Sequence, residues 1–355
     1  MKKIHLLATL FYFVAYSQES KNPFSYSGYI ETYYSYDIGN PDNHLRPSYA
    51  YSHNKHNELN LNLGFVKVSY AKDNLRGNFA LMAGTYPEYN LASEEDGLKN
   101  IFEANVGVKI SSKHNLWIDA GIMPSHIGFE STIGKDCVNL TRSLLADNSP
   151  YYETGVKLGY TSPSEKWYLA LMYLNGWQRI KKIDGNQTPA FGTQIIYKPN
   201  IKTTYNFSTY IGNEQPDIVR KFRYFNNLYA QYKLNDKTSF TAGFDLGFQE
   251  SELDDKRFDC WFSPILIAQY KPTSKIQLGF RGEYYQDKNE VIVNTGTDKG
   301  FDVFGGSINF DYLISENAMF RIEARSLSSR DKIFQYYEKP VNYNTFFTTS
   351  IALSF

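Results

Sequence analysis

The last twelve residues, NTFFTTSIALSF, alternate one by one between two kinds of side chain. Phe347, Thr349, Ile351, Leu353 and Phe355 point one way, while Thr348, Ser350, Ala352 and Ser354 point the other. A strand of this length with one apolar and one small polar face suits a sheet that separates lipid from water. A half-buried strand of a soluble sandwich alternates in the same way. The recurrence of the pattern along the chain decides between them.

Period-two alternation between turn signals gives about sixteen strands, an even number as in outer-membrane barrels. The first, residues 27–36, sets Ile30, Tyr34 and Tyr36 against Tyr29, Glu31 and Tyr33. The second, residues 59–70, reads with Leu59, Leu61, Leu63 and Phe65 outward, then changes phase to Val66, Val68 and Tyr70, which predicts a bulge near Gly64. In later strands the charges collect on one face: Glu103 and Lys109, Glu153 and Lys157, Asp245, Arg281 and Glu283, and Arg321, Glu323 and Arg325. A Lys or Arg facing lipid at the midplane would cost roughly 2–4 kcal/mol, so these residues are predicted to line water. Thirty Tyr and 25 Phe with low mean hydropathy fit a barrel with aromatic girdles and a wet lumen.

The connections alternate in length. Short ones fall at 71–75, 111–115, 161–166, 199–202, 235–237, 271–275 and 314–318, and long ones at 37–57, 85–101, 124–150, 175–190, 213–222, 250–257, 286–300 and 328–343. Outer-membrane barrels have short periplasmic turns and longer external loops, whereas a soluble sandwich has no reason to sort its connections. The predicted fold is all-β: a transmembrane, antiparallel, up-and-down barrel over residues 18–355. Lys2 and Lys3 before the apolar run 4–16, with Ala15 and Ser17 at the cleavage positions, predict a signal peptide over residues 1–17. The expected location is the outer membrane of a diderm bacterium, with lipid and lipopolysaccharide as surroundings. Without Lys2 and Lys3, the 37 basic residues become 35 against 37 acidic ones, a balance that gives no sign of a nucleic-acid partner.

The strings ANVGVKIS, LWIDAGIMPSHIGFES, LTRSLLADNSPYYETGVKLGY and WYLALMYLNGW between Glu103 and Trp177 resemble the OmpL-like β-barrel porin family. NLNLGFVKVSY, LMAGTYP and the terminal Phe355 extend the likeness over most of the mature chain. The resemblance implies a general porin, passive to small hydrophilic solutes, whose Phe355 is read by the barrel-assembly machinery. A homotrimer, as in general porins, is a further expectation. No cofactor is implied.

The loop 124–150 is the longest and follows the fifth strand, where sixteen-stranded porins fold a loop inward. Its apolar Ile127, Phe129, Leu140, Leu144 and Leu145 need something to pack against, so the loop is predicted to enter the lumen. His126, Glu130, Lys135, Asp136 and Arg142 are then the constriction, facing a basic wall of Arg281, Arg321 and Arg325. The alternative is an external cap with solvated charges.

Other candidates are weaker. Cys137 in that loop and Cys260 near the outer end of the twelfth strand form a candidate disulfide in an oxidising compartment, and two free thiols are the favoured alternative. His44, His53 and His56 share the first external loop but lack a carboxylate or Cys to complete a metal set. Glu94, Glu95 and Asp96, like Glu252, Asp254 and Asp255, read as a solvated rim. A barrel enzyme such as a lipase needs a nucleophile and base in contact, and only the adjacent Ser125 and His126 suggest one. A surface receptor or adhesin would use the same barrel with closed loops.

Overall fold

The computed structural model describes residues 22–251 and 256–355; the predicted signal peptide and the cluster Glu252, Asp254 and Asp255 lie outside them. Sixteen antiparallel strands close into a barrel. In chain order they are β1 (Phe24–Asp37), β2 (Leu59–Lys72), β3 (Leu75–Ala83), β4 (Ile101–Lys109), β5 (Asn115–Pro124), β6 (Tyr152–Thr161), β7 (Trp167–Leu174) and β8 (Ala190–Asn200). There follow β9 (Thr203–Asn213), β10 (Phe222–Lys233), β11 (Thr238–Glu250), β12 (Phe258–Tyr270), β13 (Ile276–Asp287), β14 (Phe301–Leu313) and β15 (Ala318–Ser329). A small hairpin, β16 (Phe334–Tyr336) and β17 (Lys339–Val341), decorates the last long loop before the final barrel strand, β18 (Tyr343–Ser354). Each barrel strand pairs with its neighbour in sequence, and β18 closes the ring on β1. At that seam Gly28 and Phe355 exchange backbone hydrogen bonds of 2.8 and 3.1 Å. Among the described residues no helix is long and apolar enough to cross a membrane.

The strands form because alternation satisfies two solvents at once. Outward positions such as Val66, Val106, Leu171, Ile308 and Ile351 are apolar and exposed to what would be hydrocarbon, while the intervening Asn, Ser, Glu and Arg face in. Connections at one rim are short, as at Asp73–Asn74, where Asp73 takes φ 53°, a left-handed conformation that Asp tolerates. Those at the other rim are long and carry the helical turns α1 (Thr85–Asn90) and α2 (Leu144–Asp147).

One register differs from the sequence expectation. Glu31 lies opposite Leu63 and Thr32 opposite Leu61, so the extra residue is Asn62, two residues before Gly64. The phase therefore changes earlier, and Leu63 and Phe65 point inward and are buried. The displaced Asn62 amide donates to Glu31 Oε2 at 2.9 Å. Downstream of the bulge the same phase turns Lys67 and Ser69 into the lumen.

Candidate functional site in the barrel lumen

Six charged side chains alternate up the inner face of β13–β15: Arg281 and Glu283 on β13, Asp311 on β14, and Arg321, Glu323 and Arg325 on β15. Three cations meet three anions, with Arg321 Nε on Asp311 at 2.7 Å, Arg281 Nη2 on Glu323 at 2.9 Å and Arg325 Nη2 on Glu283 at 2.6 Å. All six are buried. A buried ion pair is tolerable only if the remaining donors and lone pairs are also satisfied. A guanidinium has five N–H groups and a carboxylate cannot take them all, so this wall requires further acceptors.

Loop residues 125–151 supply them. Arg321 donates to the carbonyls of Gly134, Cys137 and Val138 at 2.6, 2.9 and 3.0 Å. Arg281 donates to the Thr141 carbonyl at 2.7 Å, and Arg325 to that of Arg142 at 2.8 Å. In return Glu323 accepts from Thr141 N at 2.5 Å and Glu283 from Leu144 N at 2.7 Å. The loop backbone thus reads the wall as an adjacent strand would, except that the wall's partners are side chains. Leu145 packs with Ile265 and Ile267 below it. Wall glycines make room: a Cβ on Gly192 would lie 2.7 Å from the His126 ring, and one on Gly279 would lie 2.9 Å from the Val138 carbonyl.

The expected constriction residues do different jobs. His126 Nδ1 meets Glu153 Oε2 at 2.6 Å and its Nε2 meets the Thr209 carbonyl at 2.9 Å. Both partners are acceptors, so both ring nitrogens donate and the imidazole is a cation. Its own carbonyl accepts from Gln194 and Ser208, which ties the start of the loop to β8 and β9. Arg142 is buried and donates to its own loop, to the carbonyls of Ser131 at 2.6 Å and Leu140 at 2.8 Å. Glu130 caps Ser143 through its hydroxyl and its N–H. Lys135 reaches the opposite rim, where Nζ donates to the Glu316 carbonyl at 2.8 Å and to Ser354 Oγ at 2.7 Å. Asp136 alone of the five is exposed.

Glu316 lies in a short connection and Pro124 at a long one, so the loop runs the full depth of the barrel. The residues expected to line water divide accordingly. Glu153 and the six-charge wall lie buried against the loop, and Asp245 is buried against Asn227 of β10, not at a wet surface. Glu103 is also buried and meets Lys67 at 2.5 Å, while Lys109 and Lys157 are half-buried on β4 and β6. The open volume, about 590 Å³, lies between the loop and β1–β4, beside Phe65, Lys67, Phe102, Glu103 and Glu130. Sequence reading did not single out Lys67, although it set Val66 and Val68 on the apolar face around it, and it missed the Arg76–Asp119 pair at 2.7 and 2.6 Å. Asn309 and Asp311, two apart on β14, carried a period-two polar signal that would have placed them inside.

Several candidates resolve differently. The disulfide is not formed: Cys137 and Cys260 are both free. Cys260 lies directly opposite Phe248, and directly opposed residues share a face, so its thiol is on the outer surface with Phe248 while Cys137 is in the lumen. Ser125 Oγ accepts from Ile127 N and has no hydrogen bond to His126, whose ring nitrogens are engaged elsewhere. His53 and His56 are buried and not rim residues: His53 Nε2 is 3.3 Å from Glu31, and His56 Nδ1 accepts from Asp37 N. Among the described residues no three ligating groups converge as a metal site would require. Glu94 is buried too, accepting from Ile180 N and the Tyr152 hydroxyl.

Asp147, in the turn α2, gives the loop a pH response. Burial pushes its carboxyl up to about 7, against the pull of Arg325 and Arg142 and with a push from Glu130. Tyr151 donates to it at 3.2 Å. Because the folded value is raised above the ordinary 3.8, the packing of this turn is favoured by the neutral acid, fully so below about 3.8, and weakens as the pH rises through about 7. Channel noise recorded across that pH is expected to increase on the alkaline side, and Asp147→Asn is expected to remove the dependence.

Comparison with known proteins gives a consistent result. The sequence profile of the β-barrel porin-2, OmpL-like, family matches residues 23–355. The chain belongs to this family. Its fold is that of several solved porins. The anion-selective porin from Comamonas acidovorans superposes with a TM-score of 0.61 at 9% identity, over 94% of this chain and 99% of that one. The outer-membrane channel DcaP of Acinetobacter baumannii gives 0.64 at 11% identity, over 94% and 97%. OmpF of Salmonella typhi, solved with daunomycin, gives 0.61 at 10%, also over 94% and 97%. No curated protein matches the sequence. The family is one of outer-membrane β-barrel porins of Gram-negative bacteria, and the solved porins share its fold.

Proposed function

We propose that this OmpL-like porin is a passive diffusion channel for small hydrophilic solutes whose passage is limited by the loop 124–150. The observation that carries the reading is the interlock between that loop and the inner face of β13–β15, which confines free lumen to the opposite side. Selection there falls to Lys67, Glu103, Glu130, Asp136, Lys109 and Lys157, a mixed set that favours weak ion preference. The related fold from Comamonas acidovorans belongs to an anion-selective porin; a mixed lining argues for a milder preference here. Export by the predicted signal peptide, assembly through Phe355, contact with lipopolysaccharide and a homotrimeric state belong to the same reading. Phe355 remains exposed at the end of the closing strand, free to be recognised.

Planar-bilayer recording of refolded protein, with folding verified by heat-modifiable gel mobility, tests the reading. Stepwise conductance supports it, and folded protein that opens no channels overturns it. In the same assay, replacing Asp136 and Glu130 by Asn and Gln is expected to shift the reversal potential modestly toward anions. Removing fixed negative charge lowers the local cation concentration. The exposed Asp136 is expected to account for most of the shift, since Glu130 is committed to Ser143.

A further inference from the structure

Beside the turn α2 the external mouth holds a small cavity, of about 210 Å³, away from the open volume along β1–β4. Long connections converge on it, bringing Tyr51 from residues 38–58, Ser93 from 84–100, Asp147 from the long loop, and Trp177 with Arg179 from 175–189; the outer end of β10 brings Arg223. Pockets for drug-sized ligands run to roughly 300–1,000 Å³, so this one suits something smaller.

Both arginines have donors to spare. Arg223 is more than nine-tenths buried, with its guanidinium 5.1 and 5.6 Å from the ring centres of Trp177 and Trp261 and with Nε and Nη2 both given to Gln249 Oε1 at 3.0 and 2.8 Å. Its Nη1 has no hydrogen-bond partner among the described residues, and it is not cut off from solvent. Arg179 makes no hydrogen bond and no ion pair among the described residues, and the hydroxyls of Tyr51 and Ser93 are likewise unpaired and reachable. The carboxylates of this region are committed elsewhere. Glu214 accepts from Trp177 N at 3.1 Å and from the Tyr210 hydroxyl, and Asp287 accepts from the N–H groups of Val291, Ile292 and Val293 at 2.9, 2.7 and 3.0 Å. Two guanidiniums therefore face one carboxyl, that of Asp147, which burial keeps neutral below about pH 7. A cation would be repelled by this set, and a neutral molecule would leave its charge unanswered. An oxyanion accepts from both guanidiniums and both hydroxyls, and the planar fork of arginine matches a carboxylate or phosphate two bonds at a time.

We infer that this cavity is a binding subsite for a small oxyanion, a carboxylate or a phosphate, held by Arg179 and Arg223 at the external mouth. The inference rests on the porin reading for its purpose, the capture of solute ahead of the channel, but not for its test. Titration calorimetry of the full-length folded protein in non-ionic detergent at pH 6, with sodium acetate and with sodium phosphate as separate probes, measures binding whether or not channels open. Saturable binding of at least one probe is expected, and the tighter of the two identifies the group the site takes. Arg179→Gln is expected to weaken binding about tenfold to a hundredfold, the worth of a hydrogen bond to a charged group, while leaving the temperature of the gel-mobility shift unchanged because Arg179 holds nothing in the fold. Tyr51→Phe is expected to cost about threefold to tenfold. Arg220→Gln, at an exposed arginine outside the cavity, is expected to leave affinity as it was. No saturable heat with either probe, unchanged affinity in Arg179→Gln, or equal weakening by Arg220→Gln overturns the site. Absence of conductance in a protein that still binds the anion instead overturns the channel and leaves the site standing.

Discussion

Deleting residues 134–140 is expected to raise single-channel conductance several-fold while the barrel still folds. These seven residues hold the stretch of loop that crosses to the far rim and present three of the carbonyls to which Arg321 donates. None belongs to a barrel strand, so the sixteen-stranded ladder and its outward apolar face are untouched. Water admitted to the cleared volume can satisfy the Arg321 N–H groups, which are costly only when buried without partners. On the proposed reading the loop sets the narrowest cross-section, and this deletion widens it. A correctly folded deletion protein with wild-type conductance would withdraw the loop from the list of elements that limit passage.

Arg321→Leu is expected to be the most damaging single substitution. It strands Asp311 as a buried carboxylate without its ion-pair partner, and breaking a buried pair from one side costs about 3–5 kcal/mol. Asn309 still donates to Asp311, which softens the loss without supplying a counter-charge. The temperature of the gel-mobility shift should fall, and current noise should rise because three loop carbonyls lose their donor at once. The double variant Arg321→Leu, Asp311→Leu separates the two effects. It removes the stranded charge and is expected to recover most of the thermal stability, yet it cannot re-anchor the loop and should stay noisy. A quiet double variant would show that Arg321 serves the wall alone. Arg321→Lys is not a rescue, since one ammonium cannot reproduce the planar fork that spans Asp311 and the loop backbone.

The barrel was legible because lipid and water sort side chains at every second residue, and the rims sort connection lengths. Tyr29, Glu31 and Tyr33, or Arg321, Glu323 and Arg325, declare their face within a single strand. The inward course of the long loop was also legible, since Ile127, Leu140, Leu144 and Leu145 could not be left to solvent. Pairing between strands was not. That Arg321 meets Asp311 and Gly134, or that Cys260 shares a face with Phe248, depends on register across the sheet. Register is a property of two segments, and the Asn62 bulge shows how one residue moves it. The burial of the first long loop went unread for a related reason: only the neighbouring Phe346 and Glu31, on other strands, make the burial of Arg46 and His53 tolerable.

The lower end of the long loop touches both ends of the chain at once. Tyr29 on the first strand accepts from Lys135 N at 3.3 Å, and Ser354 on the last strand takes the Lys135 ammonium. Those two strands become neighbours only when the ring closes, since Tyr29 pairs with Ser354 itself. The latch therefore cannot be set in an open sheet, however many hairpins have formed. Order in time follows from order in space: seam first, then latch. A barrel still waiting for its last strand keeps a wide mouth, and the finished one locks its own bolt.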